Sequence, residues 1–194
     1  MIALTGRARL VPSARGAWFF DKVMCLRPAP LEGVKELFQS SVPMPGESYR
    51  SHFQRELNRQ EFCRPCHAHF DPVGFALDPF DVVGRLQPKD VYGEPFDTSG
   101  VLRYSYTGDF SPPPGNPDGV LPFASLAELG QLLSTHLESQ ACYAQRWLTY
   151  SHAPEDMPTD HVWDKAKHLA ETLRAHDGQI RFLIAAVLEE RFGS

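Results

Sequence analysis

The sequence has no apolar stretch long enough to cross a bilayer. Its longest apolar runs, such as Phe182 to Leu188, fall far short of the roughly 20 residues a membrane helix needs. Positive charge is also scarce: 19 Lys and Arg stand against 24 Asp and Glu, and the formal net charge is −5. With no basic run anywhere, a broad nucleic-acid or anionic-membrane surface is excluded. Residues Met1 to Arg9 lack the charged start and following apolar run of a secretory signal, so the chain is cytoplasmic unless an export segment lies upstream. HExxH, GxSxG, the P-loop and GxGxxG are all missing, which leaves metalloprotease, esterase and nucleotide-binding readings without support. Asp97, Asp109 and Asp118 lie near turns, where aspartate serves the backbone.

What is present suits a folded chain. At 194 residues it is one ordinary domain or two small ones, and 42% hydrophobic with 22% charged residues is close to a globular average. Its 17 prolines, against a usual share of roughly 5%, point to many irregular connections. Helical periodicity runs through residues 15–26 (Phe19, Val23, Leu26) and 47–60 (Phe53, Leu57). Between them, 27–46 carries four prolines and predicts an extended wrap, with at most a helical turn around Val34 to Phe38. Asp71 followed by Pro72 predicts an N-cap and a short helix start. Gly93, the turn 97–100 and the run Val101 to Tyr106 predict a small β-hairpin within 85–107, and 111–119 is a turn-rich loop at a subdomain boundary. The last third is helical: a Ser125–Glu128 capping box opens a face of Leu126, Leu129, Leu132, Leu133 and Leu137, followed by helices over 140–151, from Thr159, and over 180–192. Gly178 is the expected C′ residue of the helix that starts at Thr159. The fold class is mainly α: a first domain with a small β-hairpin over 1–110, then a helical bundle over 120–194. No repeat of useful length stands out.

The chemistry lies in Cys63-Arg64-Pro65-Cys66-His67. CxxCH is the attachment signature of c-type haem: Cys63 and Cys66 add to the vinyl groups, and His67 is placed as the proximal iron ligand. With 4 Cys and 8 His in 194 residues, about 0.003 such windows arise by chance. Zinc would require further ligands near the pair, and Cys25 and Cys142 are distant, leaving His52 or His69 to complete a site. A thioredoxin-like CxxC should follow a strand, whereas Phe62 follows a polar helix; a Cys63–Cys66 disulfide is the remaining alternative.

Cys63-x-x-Cys66-His67 followed by Asp71-Pro72-x-Gly74-Phe75-Ala76-Leu77-x-x-Phe80-Asp81-x-x-Gly84-Arg85 resembles the planctomycete and myxobacterial cytochrome-c-like proteins, multidomain exported proteins built from domains of unknown function. The helix from Arg15-Gly16 to Cys25, and Ser125 to Ser194 with Cys142 and Leu148-Thr149-Tyr150, are similar to segments of the same family. The resemblance implies haem c as cofactor, a place at the C-terminal end of a longer chain with partner domains upstream, and a periplasmic or extracellular location. Two departures stand out: Tyr150 is followed by Ser-His-Ala-Pro instead of the family's Gly-Arg, and Glu56 and Leu57 occupy places where relatives often carry a histidine.

The roles expected around a haem follow. Met24, Met44 and Met157, or His52, His69 and His152, are the candidates for a sixth ligand, with core packing or a solvated surface as the simpler reading of each. Arg85 could pair with a propionate, or form an exposed ion pair with Asp81. Phe75, with Phe70 and Phe80, packs the porphyrin edge or belongs to the core. Cys25 and Cys142, the two thiols left over, are a disulfide candidate in an oxidising compartment. Function divides between a one-electron carrier module, a peroxidase-like oxidoreductase with an open axial site, and a non-haem scaffold.

Overall fold

The computed structural model describes residues 11–26, 42–59, 61–105, 108, 110–112, 115–151 and 159–192. Most of the Pro-rich link, His152 and Met157 lie outside them. Among the described residues the chain is mainly helical: α1 (Pro12–Val23), α2 (Tyr49–Asn58), α3 (Arg64–Ala76), α4 (Leu126–Thr135), α5 (Leu137–Ser151), α6 (Thr159–Ala175) and α7 (Ile180–Phe192), with β1 (Gly100–Arg103) and β2 (Val120–Phe123) as one two-stranded antiparallel sheet. They form two compact units: Met1–Asp21, Arg27–Arg103 and Leu121–Glu128 make the first, and Lys22–Leu26, Tyr104–Val120 and Leu129–Ser194 the second.

The first unit is organised by a close crossing of α1 and α3. A Cβ on Gly16 would run into the carbonyl oxygen of Phe70, and one on Gly74 would run into that of Pro12, so each helix offers a glycine where the other brings its backbone. Beyond the C-terminal end of α3 the Arg15 guanidinium donates to the carbonyl of Leu77, the C-cap residue whose acceptor the helix end leaves open, and to that of Phe80 in the turn that follows. Phe20 meets Phe70 edge-on at 5.1 Å between centroids.

Two short loops follow α3, built alike: Asp81-Val82-Val83-Gly84-Arg85 and Asp90-Val91-Tyr92-Gly93-Glu94. In each, the aspartate Oδ1 accepts from the backbone N–H groups two and four residues on, at 2.8–3.0 Å. In each, the aspartate N–H bonds the carbonyl four residues on, and the glycine at the fourth place has a left-handed backbone, φ 84° and 86°. The sequence alone does not show this as a repeat, because five residues twice over is too short to stand out. The second loop also fastens α2, since Asp90 Oδ2 accepts from Tyr49 N at 2.6 Å while Ser48 Oγ caps Ser51 N.

Two expectations are corrected in this unit. Asp71 does not cap a new helix; α3 runs through Asp71-Pro72 without a break. Pro72 removes one hydrogen bond and costs roughly 3 kcal/mol. Val73, Phe75 and Ala76 beyond it are buried, and full burial of one large apolar side chain recovers roughly 1.5–3 kcal/mol. The hairpin also pairs differently: the turn at 97–100 does not reverse the chain, and β1 pairs instead with β2 across the Pro/Gly-rich stretch.

In the second unit α5, α6 and α7 share a core of Ala144, Leu148, Val162, Ala166, Leu169, Leu173, Leu183 and Val187. The final helix buries a narrower stripe than its sequence suggests, with Ile180 and Leu188 both substantially exposed. The α4 capping box forms, with Glu128 N donating to Ser125 Oγ at 3.2 Å and Glu128 Oε2 accepting from Ala124 N at 2.7 Å, one residue before Ser125. Helix α6 ends in a Schellman pattern, Gly178 N to Leu173 O at 2.9 Å and Asp177 N to Arg174 O at 3.2 Å. Its left-handed C′ residue is Asp177 (φ 53°), not Gly178 as expected. Cys25 and Cys142 form a disulfide that ties the 22–26 segment to α5. Closing a loop of 117 residues is worth about 5 kcal/mol on a chain-entropy basis.

The crossing yields a direct test. Gly16→Ala and Gly74→Ala are each expected to lower the denaturant-unfolding free energy by about 3 kcal/mol, the upper end of overpacking costs, whereas Gly130→Ala, which meets nothing within 4 Å, leaves it within about 1 kcal/mol.

Candidate functional site

The CxxCH segment forms the first turn of α3. Cys63 precedes the helix with helical backbone angles (φ −79°, ψ −31°), Pro65 sits in the first turn where its missing N–H costs little, and His67 N already bonds Cys63 O at 3.2 Å. The two thiols are therefore one helical turn apart. Cys63 is buried against Phe53, Leu57 and Phe75, while Cys66 is exposed, so the motif lies at the edge of the buried face.

His67 is held by two side chains. Its Nδ1 lies 2.9 and 3.1 Å from the Asp71 carboxylate oxygens, one turn along α3, and 3.0 Å from Ser13 Oγ on α1. An ionised carboxylate only accepts, so Nδ1 carries the proton and Nε2 of the neutral ring keeps its lone pair. This is the arrangement that metal-binding imidazoles use, with the second nitrogen fixing tautomer and ring orientation. Asp71 is 4% exposed. Its role as a buried partner to His67 replaces the expected helix cap. The Phe53 ring stands 6.3 Å from the imidazole, and a hollow of about 320 Å³ opens beside it between Leu57, Ala68, Pro72, Gln54 and Arg64.

Both motif thiols are free, and among the described residues no three His, Cys, Asp or Glu side chains gather as a metal-ligand cluster. The donors present are two thiols and one oriented imidazole, the set that c-type haem attachment uses.

Residues 1–90 match the family model PSCyt3, "Protein of unknown function (DUF1588)". The PSCyt3 match contains α1, α2, the whole CxxCH helix and the Asp81 loop, and it stops before β1. No curated protein and no solved structure matches the chain.

Other residues singled out from the sequence are scattered over both units. Phe75 is buried in the same cluster as Cys63, edge-on to Phe53 at 5.8 Å, with the Arg50 guanidinium 4.8 Å from its ring centroid. Arg85 is 77% exposed and bonds Asp81 Oδ2 at 2.8 Å. It lines a different hollow from His67, near Arg15 and Asp78. The backbone N–H of Arg85, together with its side chain and Val83 N–H, holds the Asp81 carboxyl below its ordinary range. His52 Nδ1 is 2.7 Å from Tyr92 Oη, and His69 Nδ1 accepts from Arg103 Nε at 3.2 Å. Burial, and secondarily the Arg103 charge, lower the pKa of His69. Met24 is fully buried in the second unit and Met44 is largely exposed. Ser13 was missed by sequence reasoning, because nothing local shows that α1 crosses α3 beside His67.

Next to the helix end the Asp78 side chain is 9% exposed, with Arg15 Nε 3.9 Å away, and desolvation pushes its carboxyl up to about 7 against the pull of Arg15. A carboxyl raised on folding binds its proton more tightly in the folded chain, so its contribution is complete below pH 4 and is lost as pH rises through 7. Unfolding free energy is therefore expected to fall between pH 4 and 7 by at most about 1.4 kcal/mol per pH unit from this group. In Asp78→Asn the slope in that window is removed; an identical pH profile for the two proteins would contradict the assignment.

Proposed function

We propose that the chain is a covalent c-type haem module that passes single electrons, a module of a larger exported protein. The observation that carries this reading is the pairing of two thiols on one helical turn with an imidazole whose Nδ1 is held by Asp71 and Ser13. Cys63 and Cys66 would make the thioether links, each adding S and H across a vinyl double bond, and His67 Nε2 would ligate the iron. The bound group supplies reversible one-electron chemistry. The chain's own contribution is orientation and exclusion of water. Asp71 fixes the imidazole, Ser13 shares the same N–H, and Phe53, Leu57 and Phe75 make the side of the motif at Cys63 apolar. The disulfide between Cys25 and Cys142 supports an oxidising, export-side location. The family name PSCyt3 agrees with a cytochrome-like reading of residues 1–90.

Expression behind an export signal, with haem-maturation machinery, tests this. A denaturing gel should show covalent haem on the wild-type chain and none on the Cys63→Ala/Cys66→Ala variant. Wild-type protein that stains blank and carries stoichiometric zinc refutes the reading. Carbon monoxide binding by the reduced protein would assign an open axial position and the oxidoreductase alternative; inertness assigns the carrier. In the haem-loaded protein, Asp71→Asn is expected to raise the midpoint potential, because a neutral amide makes the imidazole a weaker donor than a carboxylate does.

A further inference from the structure

The first unit contains a hollow that the haem reading does not use. It lies among α1, the start of α2 and the loops that follow α3, and every residue lining it belongs to this unit. Its volume is about 410 Å³, within the usual range of roughly 300–1,000 Å³ for small-molecule sites. Arg15, Arg85 and Lys89 on its wall are matched by Asp78, Asp81 and Asp90, so the lining favours neither a cation nor an anion.

All but one of these charged groups are engaged or solvated. Arg85 holds Asp81 at 2.8 Å, Asp90 accepts from the backbone N–H groups of Tyr49, Tyr92 and Glu94, the Arg15 guanidinium donates to the carbonyls of Leu77 and Phe80, and Lys89 is exposed. Asp78 is the exception. Its side chain is 9% exposed, accepts no hydrogen bond among the described residues, and has Arg15 Nε at 3.9 Å, beyond hydrogen-bonding reach. Neither of its oxygens is closed off, although Arg15 Nε beside them is, so the carboxyl is open to the hollow that it lines. Arg15 and Arg50 favour its ionised form, Asp71 and Asp90 oppose it, and desolvation outweighs them all. Acceptors so deeply placed are normally satisfied, and one that is not, at the wall of a hollow, marks the place of a donor from outside the chain.

Phe80 and Phe96 add an independent feature. Both line the hollow, both are half-buried, and neither packs on another aromatic ring among the described residues. With Val82 they give it an apolar side suited to a planar ring. A ligand that meets these features is uncharged, carries a ring for Phe80 and Phe96, and offers a hydrogen-bond donor to Asp78. A phenolic O–H is such a donor and stays neutral below its pKa of about 10. We propose that this hollow binds a small phenol, its O–H donated to the Asp78 carboxylate and its ring set against Phe80 and Phe96. Neither the CxxCH chemistry nor the family description assigns it.

Calorimetric titration of the full chain, with or without haem, tests the proposal at about pH 8, where Asp78 is largely ionised and the phenol is still neutral. The probe is p-cresol, and the controls are its methyl ether, which lacks the O–H, cyclohexanol, which lacks the ring, and p-toluate, which is an anion. Cresol is expected to bind one to one, and each control at least about tenfold more weakly. Asp78→Asn should weaken cresol about tenfold and leave the methyl ether unchanged, because the charge-assisted bond is lost and the apolar contact is kept. Phe96→Leu, which keeps an apolar side chain and removes the ring, should weaken cresol about fivefold. Because Asp78 also faces Arg15, Phe96→Leu and the methyl ether remain decisive if Asp78→Asn misfolds. No heat with millimolar cresol, a methyl ether or toluate that binds as tightly as cresol, or cresol affinity unmoved in either folded variant each overturns the proposal.

Discussion

Everything around the candidate haem site depends on two backbone carbonyls set against two glycines. Because Gly16 admits the carbonyl of Phe70 and Gly74 that of Pro12, α1 and α3 approach more closely than side chains would allow. That approach brings Ser13 Oγ to 3.0 Å from His67 Nδ1, and the Arg15 guanidinium to the carbonyl of the α3 cap residue Leu77 and to that of Phe80 just beyond it. One helix thus braces the other at both ends. At the first end it orients the imidazole; at the second it covers polar groups that burial would otherwise leave open.

The chemistry of the motif then follows from α3 being one helix. His67 and Asp71 are four residues apart, and only a helix continuous through both places them on one face. Had the Asp71-Pro72 pair started a new helix, as its sequence suggests, the carboxylate would have been spent on a backbone N–H and the imidazole would have lost its partner. Burial of the residues after Pro72 outweighs the local cost of proline, so tertiary packing decides a question that the dipeptide alone answers the other way.

This contrast explains what could be read in advance. CxxCH is legible because its chemistry demands fixed spacing, and the Ser125–Glu128 box because a cap is made within four residues. The pairing of β1 with β2, the Gly16–Gly74 crossing and the Ser13–His67 bond join residues far apart in sequence, and no local pattern encodes the meeting of distant segments. The C′ residue of α6 was misjudged by one position because Asp177 and Gly178 both tolerate a left-handed backbone, and the hydrogen bonds, not the residue type, decide which is which.

The two aspartate–glycine loops show how one piece of local chemistry serves two ends. In both, Oδ1 and the backbone close the loop on itself, so the difference lies in Oδ2. At Asp81 it is taken up locally, by Arg85 Nε and by Gln87 Nε2 at 3.2 Å, which accounts for an exposed Arg85 whose charge is engaged within its own loop. At Asp90 it accepts from the first N–H of α2, a group that favours a negative partner because the helix dipole is positive there. Tyr92 of the same loop reaches His52 on α2. The Asp90 loop therefore fixes the helix that carries Phe53 and Leu57, and these two side chains, with Phe75, enclose Cys63. The apolar wall beside the buried motif thiol is in this way anchored by a turn some 27 residues further along the chain.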